Sequence, residues 1–85
     1  MKVIFVDLAW EDYIHWQQID KTILRKINSL IKEVKRTPFE GTGKPESLQY
    51  HLSGWWSRRI THEHRLVYRV KPDAVIILQC RHYYQ

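Results

Sequence analysis

The chain has 85 residues, enough for one domain with a modest core, and its 44% hydrophobic content excludes a disordered protein. The formal net charge of +5 favours a polyanionic partner: nucleic acid, an anionic membrane or an acidic protein. No apolar run approaches the roughly 20 residues of a membrane span, and the N-terminus lacks a signal-peptide apolar stretch, so we expect a cytoplasmic protein. A single cysteine, Cys80, excludes an internal disulfide and a cysteine-rich zinc site.

The first half of the chain predicts a strand followed by two helices. Residues 2–6 form a short apolar run, and Asp7 is placed to cap a helix that continues to about residue 19. Asp20 is placed to cap a second helix, which Pro38 ends because the residue before a proline avoids helical geometry. Apolar residues recur at helical period in this second helix, namely Ile23, Leu24, Ile27, Leu30, Ile31 and Val34. We expect an antiparallel helix pair that packs on a sheet.

Residues 38–47 are predicted to form the one long loop. Its glycines allow the backbone to turn, but no strand-loop-helix context makes its GxG a nucleotide-binding loop. Lys44 and Glu46 are better placed for chemistry, because Glu46 enters the sheet region beside a basic surface. Such a carboxylate is either a salt-bridge partner of arginines or a catalytic base. Residues 48–52 are predicted to form a short strand.

Residues 52–70, LSGWWSRRITHEHRLVYRV, predict a β-hairpin. Side chains alternate between apolar and polar on both sides of a central bend, which indicates two strands with one buried face. The other face carries Arg59, Arg65 and Arg69, which we expect within a few ångström of one another. This face is either an ordinary solvated surface or a phosphate site, and the interleaved aromatic residues favour a phosphate site. We add Arg58 to the same cluster.

The last segment, residues 74–84, reads AVIILQCRHYY. Its apolar run at 75–78 predicts a central strand that is buried on both sides. The aromatic cluster of His82, Tyr83 and Tyr84 follows. These side chains either seal the edge of the core or meet the arginines, if this strand pairs with the hairpin.

The remaining polar groups are the kinds that metal-free RNA cleavage needs. Glu46 would take the proton from a 2′-OH, Arg59 and Arg65 would stabilise charge on the phosphate, and His82 or Tyr83 would protonate the leaving 5′ oxygen. Because DNA has no 2′-OH, such a site would act only on RNA. We expect no metal and no cofactor, because the histidines of the hairpin bend lack a convincing ligand spacing.

Three stretches carry a resemblance to a known family: WSRRI-x-x-EHRLVY at 56–68, TPFEGTGKPE at 37–46 and CRHYY at 80–84. Together they resemble the YoeB toxins, a branch of the RelE/ParE-type toxins of bacterial type II toxin–antitoxin pairs. The resemblance covers nearly the whole chain. It implies an α+β fold that is RelE-like and microbial ribonuclease-like, with two N-terminal helices packed on one face of a small antiparallel sheet. Residues 1–85 would form a single domain.

The resemblance also implies an activity and partners. YoeB toxins are metal-independent mRNA endonucleases that act in the ribosomal A site and inhibit translation, and a cognate YefM-like antitoxin holds them inactive. We therefore expect the 70S ribosome, mRNA, an antitoxin and a second copy of the chain as partners. The alternatives from other classes are a non-enzymatic inhibitor on the same fold, like the ParE toxins that bind gyrase, and an RNA-binding module without chemistry.

The family's functional residues can be assigned by position. Its glutamate base matches Glu46, its central arginine matches Arg65, and Gln49 stands where the family usually has a lysine. The usual ending C-R-x-H-Y becomes C-R-H-Y-Y in this chain, which displaces the expected acid histidine by one residue. The residues that we assign to RNA or phosphate binding are Lys44, Arg58, Arg59 and Tyr84.

The displaced histidine leaves His82 and Tyr83 as alternatives for the general acid. Neighbouring side chains of a strand point to opposite faces, so only one of them would face the arginines. Cys80 suits the core side, like Leu78 and Ile76, and this alternation would turn His82 away and present Tyr83. A phenol, with an ordinary pKa of about 10, holds its proton at neutral pH and can donate it. We favour Tyr83, and keep His82 as the alternative that a frayed chain end would bring inward.

Overall fold

The computed structural model describes residues 1–84, which form two helices and a five-stranded sheet. The predicted α+β class is confirmed. The elements in chain order are β1 (Lys2–Phe5), α1 (Asp7–Ile19), α2 (Lys21–Arg36), β2 (Glu46–Ser47), β3 (Trp56–Arg59), β4 (Arg65–Lys71) and β5 (Ala74–Gln79). In this part of the chain neither helix has the length and apolar composition needed to cross a membrane.

The sheet has the strand order β1-β5-β4-β3-β2. Strands β2 to β5 pair antiparallel, as predicted, whereas β1 runs parallel to β5. Parallel strands need a long crossover, and the helix pair lies within the chain that connects these two strands. Strand β5 is an inner strand, as predicted. Its Val75 and Ile77 are fully buried, but Ile76 and Leu78 are only half-buried, so the prediction of burial on both faces is wrong.

The two helices begin in different ways. Asp20 caps α2 as predicted, because its Oδ1 accepts hydrogen bonds from the backbone N–H groups of Thr22 and Ile23 at 3.0 and 3.2 Å. The predicted cap at Asp7 is wrong, since Asp7 is the first helical residue of α1 and the capping position is Val6, whose side chain makes no capping bond. The Asp7 carboxylate still lies in the first turn, where a negative charge complements the helix dipole.

The core lies between the helix pair and one face of the sheet. The α2 stripe predicted from periodicity is confirmed, and the Tyr13 hydroxyl donates a 2.6 Å hydrogen bond to the Asn28 side chain, which joins the two antiparallel helices. Because the helices cover only this face, the opposite face of the sheet is left for the C-terminal tail, residues 80–84, and for the end of the loop before β2, at Lys44 and Pro45. The core residues that anchor the packing are Ala9, Trp16, Ile27, Leu30, Val34, Leu66, Tyr68, Val75 and Ile77.

The predicted strand at 48–52 is wrong. Glu46–Ser47 forms the strand β2, and Tyr50–Leu52 forms one turn of 3₁₀ helix. The backbone N–H groups of Leu52 and Ser53 bond to carbonyls three residues earlier instead of to a neighbouring strand. Tyr50 adopts a φ of 58°, in the left-handed region, which a continuous strand does not allow. The segment is therefore the connection of a β2–β3 hairpin.

A β-bulge near the end of β5 sets the direction of the C-terminal tail. Tyr68 lies opposite Ile77, whereas the residue before Tyr68 lies opposite Gln79, which leaves Leu78 as an extra residue. Such an insertion reverses the face toward which the following side chains point. Cys80 is therefore buried on the same side as Ile77. The predicted burial of Cys80 is confirmed, but the simple alternation from Leu78 on which we based it is wrong.

Candidate active site

The face of the sheet away from the helices collects polar side chains from three strands. Glu46 of β2 lies opposite Ser57 of β3, which lies opposite Val67 of β4, and Arg59 lies opposite Arg65. Residues directly opposite each other in antiparallel strands point to the same face. The second pair is two residues along β3 from the first, a distance of about 7 Å. The strand pairing therefore places a carboxylate and two guanidiniums in one small area.

These side chains line an open cavity of about 280 Å³. Ligand pockets usually range from about 300 to 1,000 Å³, so this one suits a small group such as a phosphate with its ribose. Apart from Pro45 and Ser57, every residue of its lining was predicted as a site residue. The lining consists of Lys44, Pro45, Glu46, Ser57, Arg59, Arg65 and Tyr83.

Arg65 is held rigidly at the edge of this cavity. Its Nη1 donates hydrogen bonds to the backbone carbonyls of Thr61, His62 and His64, at 2.9, 3.1 and 3.1 Å. Its guanidinium carbon lies 4.5 Å from the centroid of the Tyr83 ring, within the range of a cation–π contact. Like charges directly opposite each other on a sheet repel. The three carbonyls and the ring offset this repulsion, so Arg65 is preorganised for an anion before one binds.

Tyr84 contacts the carboxylate from the other side. Its hydroxyl donates a long hydrogen bond of 3.5 Å to Oε2 of Glu46, and its ring lies 4.7 Å from that of Tyr83. Burial raises the pKa of Tyr84, and its hydrogen bond with Tyr83 and the Glu46 carboxylate raise it further. Tyr84 therefore remains a hydrogen-bond donor at neutral pH and orients Glu46.

Of the two alternatives for the acid, the structure brings Tyr83 to the arginines and leaves His82 apart from them. His82 lines a different cavity, against Asp12 and Arg81, and its ring lies 5.9 Å from that of His64. The separation does not come from strand alternation. His82 has a φ of 65°, in the left-handed region, so the chain turns sharply there.

Arg58 does not belong to the site, and its predicted role in RNA binding is wrong. The residue is fully buried, and its guanidinium forms a 2.7 Å ion pair with Glu33 of α2. Its Nε donates to the Tyr68 hydroxyl at 3.2 Å. The Thr42 N–H and then Arg58 lower the pKa of Glu33, which keeps this carboxylate charged. The backbone carbonyls that also accept hydrogen bonds from Arg58 are those of Thr37, Glu40 and Thr42.

Arg69 also lies outside the cavity lining. Its guanidinium carbon is 5.2 Å from the centroid of the Trp55 ring, where it forms a separate cation–π contact. It is the fourth residue after Arg65 along β4, a distance of about 13 Å. The predicted proximity of three arginines therefore holds for Arg59 and Arg65 and is wrong for Arg69.

Ser57 is a site residue that we did not predict. It is buried beneath the tail, between Glu46 and Val67, and its side chain hydrogen-bonds with Tyr84. The sequence did contain a signal for it, because residues two apart in a strand share a face and Ser57 is two residues before Arg59.

Among residues 1–84, His, Cys, Asp and Glu side chains form no group of three or more that could hold a metal ion. The polar groups at the cavity are a carboxylate, three cationic groups, a serine hydroxyl and two phenols.

Comparison with known proteins shows the family of this chain. A family model described as "YoeB-like toxin of bacterial type II toxin-antitoxin system" matches residues 5–84. The chain belongs to the YoeB toxin family. Toxin YoeB of Escherichia coli (strain K12) is 58% identical over 84 residues, which cover 99% of this chain and 100% of the relative. The resemblance read from the three sequence stretches is thus confirmed.

Solved structures of YoeB toxins have the same fold. The YoeB/ParE toxin from Agrobacterium tumefaciens superposes with a TM-score of 0.96 at 49% identity, covering 99% of this chain and 100% of that chain. YoeB from Staphylococcus aureus, solved in complex with YefM, gives a TM-score of 0.92 at 45% identity, covering 99% and 98%. A YoeB dimer from S. aureus has also been solved, with a TM-score of 0.93 at 46% identity, again covering 99% and 98%.

Proposed function

We propose that this YoeB-family toxin is a ribosome-dependent mRNA endonuclease that cuts in the A site and so inhibits translation. The observation that best supports the proposal is the cavity in which Glu46 lies beside Arg59, Arg65 and Tyr83. A carboxylate, two guanidiniums and a phenol are the base, the charge-stabilising groups and the acid of a metal-independent attack by the 2′-OH. A protein that only bound RNA or another protein would not need an acid and a base in one cavity.

The proposed reaction uses each of these groups once. Glu46, oriented by the Tyr84 hydroxyl, takes the proton of the 2′-OH as its oxygen attacks the neighbouring phosphorus. Arg59 and Arg65 neutralise the charge that grows on the non-bridging oxygens. Tyr83 gives its proton to the leaving 5′ oxygen as the P–O5′ bond breaks. The products are a 2′,3′-cyclic phosphate and a 5′-hydroxyl end.

The contact between Tyr83 and Arg65 supports a phenol in the acid position. A phenol that has given up its proton is an anion, and the guanidinium 4.5 Å from its ring centroid stabilises that anion. The same arginine therefore serves the phosphate and the acid. Lys44, an exposed residue at the rim of the cavity, adds a charge for the RNA backbone on either side of the cleaved bond.

We also propose a YefM-like antitoxin and a second copy of the chain as partners. The solved structures from S. aureus include a YoeB–YefM complex and a YoeB dimer. Carboxylates of an acidic or amphipathic antitoxin segment would pair with Arg59 or Arg65, because bidentate pairing suits guanidinium groups. Such a segment would occupy the cavity that we assign to the RNA phosphate.

The test is to incubate the purified protein with translating ribosomes and to map the 5′ ends of the mRNA. The proposal expects new 5′-hydroxyl ends within the A-site codon, and none with a Glu46→Gln variant. Arrested translation without new ends would instead indicate an RNA-binding module. Loss of gyrase supercoiling activity in a parallel assay, again without new ends, would indicate a ParE-like inhibitor.

A further inference from the structure

His64 belongs to the EHRLVY stretch but lies behind the cavity and not in it. Its half-buried ring packs edge-on against the Trp16 ring of α1, with centroids 4.8 Å apart. Its Nδ1 accepts a 2.8 Å hydrogen bond from the backbone N–H of His82. His82 immediately precedes Tyr83, so the His64 imidazole holds the backbone one residue before the proposed acid.

Other hydrogen bonds attach the C-terminal tail to α1 and to β4. The Cys80 N–H donates to Asp12 at 3.1 Å, and Trp16 Nε1 donates to the Cys80 carbonyl at 2.8 Å, so the tail is attached to α1 two residues earlier. The Arg65 N–H donates to the His82 carbonyl at 3.0 Å. Gln79 Nε2 also donates to the His82 carbonyl, at 3.3 Å. The carbonyl of His82 thus has two donors, whereas its N–H bonds to His64.

We propose that His64 is a positioning residue, which keeps Tyr83 over Arg65 by accepting the His82 N–H at an unprotonated Nδ1. Its effect on cleavage rests on the proposed function, whereas its effect on the tail does not. A ring nitrogen that accepts a hydrogen bond carries no proton, so His64 must be the neutral tautomer with its hydrogen on Nε2. A protonated imidazole donates from both nitrogens, and its Nδ1–H would meet the N–H of His82 and break the bond.

The surroundings of His64 favour the neutral form. Burial lowers the pKa of His64, and the neighbouring positive or titratable groups His82, Arg81 and His15 lower it further, while Glu63 alone raises it. The adjacent Arg65 guanidinium bonds to the His64 carbonyl and adds positive charge nearby. The bond to His82 is therefore intact at neutral pH, and acidification breaks it.

The experiment compares substitutions that separate an acceptor from a titrating group. His64→Asn places an amide oxygen close to the position of Nδ1, where it accepts a hydrogen bond at every pH. His64→Ala removes the acceptor. His62→Ala is the matched control, because this exposed histidine lies on the same bend and contributes its carbonyl, which alanine retains.

Single-turnover cleavage from about pH 5 to pH 8 is the first measurement. We expect wild-type cleavage to fall on the acid side, and the His64→Asn variant to keep near-wild-type cleavage at neutral pH without that acid-side loss. His64→Ala should lose cleavage at every pH, by at least about 10-fold and by no more than the 10²–10⁴ expected for loss of a general acid. His62→Ala should follow the wild type. An Asn variant as impaired as the Ala variant, or one with the wild-type acid limb, would overturn the proposal.

The second measurement does not depend on cleavage. In NMR spectra of the ¹⁵N-labelled protein, the amide signals of His82 and Tyr83 should shift with pH along the titration of the His64 ring, which its own ring signals report. In His64→Asn only the shift that follows the His82 ring should remain. If His64→Ala fails to fold, the wild-type titration and the Asn variant still decide the question. A protein that shows this titration but cleaves no mRNA would contradict the proposed function and keep the positioning role. His82 and Tyr83 amide signals that do not change when His64 is protonated would refute the positioning role.

Discussion

Arg58 and Arg59 are neighbours in β3 with opposite surroundings. Strand alternation turns Arg58 into the core, where Glu33 and three loop carbonyls take up its donors, and turns Arg59 toward the open cavity. Alternation along the chain already put the two on different faces. We nevertheless grouped them by charge, because a buried arginine needs acceptors from distant segments and the sequence does not show them. Charge alone is therefore a poor guide to which arginines line the cavity and which are buried.

We expect Arg58→Lys to unfold at much lower denaturant concentration than the wild type. Lysine keeps the charge but lacks the planar fork of donors, so the part-buried carbonyls of the 37–42 loop and the Glu33 carboxylate would lose hydrogen bonds that a single ammonium cannot replace. Each such loss costs about 1–3 kcal/mol, and the free energy of unfolding should fall by about 3 kcal/mol or more. Urea denaturation measures this, with Arg59→Lys as the control, expected within about 0.5 kcal/mol of the wild type. A stable Arg58→Lys variant with weakened ribosome binding would show that Arg58 binds RNA, as we first predicted.

Tyr83→Phe and His82→Ala should have very different effects on cleavage. Phenylalanine keeps the ring over Arg65 and removes only the proton donor, so single-turnover cleavage should fall by about 10²–10⁴. Alanine at 82 keeps the backbone groups that bond to His64 and Arg65. The imidazole that it removes lines another cavity in the wild type, so the loss of cleavage should be mild. The reverse order of effects would mean that the tail swings on the ribosome and carries His82 into the site.

At the scale of elements, the C-terminal tail shows why alternation failed. Residues 75–78 are all apolar, so no apolar–polar alternation indicates which of their side chains face the helices. The bulge at Leu78 shifts the register by one, and the turn at His82 then moves the tail out of strand geometry. Both features depend on contacts with β4 and α1 that lie far away in sequence. The preference for Tyr83 agrees with the observed geometry, although its stated reason does not.

Cys80 should resist alkylation in the native protein. Burial, and to a smaller extent the Asp12 carboxylate, raise the pKa of its thiol to about 12, and only the thiolate is a good nucleophile. We expect modification by iodoacetamide near neutral pH to be slow in buffer and to reach the rate of an unstructured cysteine in denaturant. Mass spectrometry measures both rates. Rapid labelling of the folded protein would show that the segment after β5 detaches from α1.

At the scale of the whole molecule, local patterns predicted most of the fold. Helical periodicity in α2 and alternation in the β3–β4 hairpin were sufficient for both elements, since each buries one face against the same core. The parallel pairing of β1 with β5 and the short β2 were not predictable, because each depends on a partner strand that local periodicity does not specify. Glu46, Arg59 and Arg65 were identified from the sequence, partly through the family resemblance, and the sheet brings them to one cavity.

The central claim is that this cavity cleaves RNA, and the most direct test is the single-turnover cleavage rate of Arg65→Ala on translating ribosomes, measured beside its thermal unfolding. Loss of one preorganised charge-stabilising donor should lower the rate by about 10²–10³. Arg65 is only 6% exposed, but unlike Arg58 it lines an open cavity, and the carbonyls that it contacts lie on a bend with exposed residues. Water can therefore replace the guanidinium, and the fold should persist. Near-wild-type cleavage would contradict the claim, and a variant that melts early would show that Arg65 has a structural role.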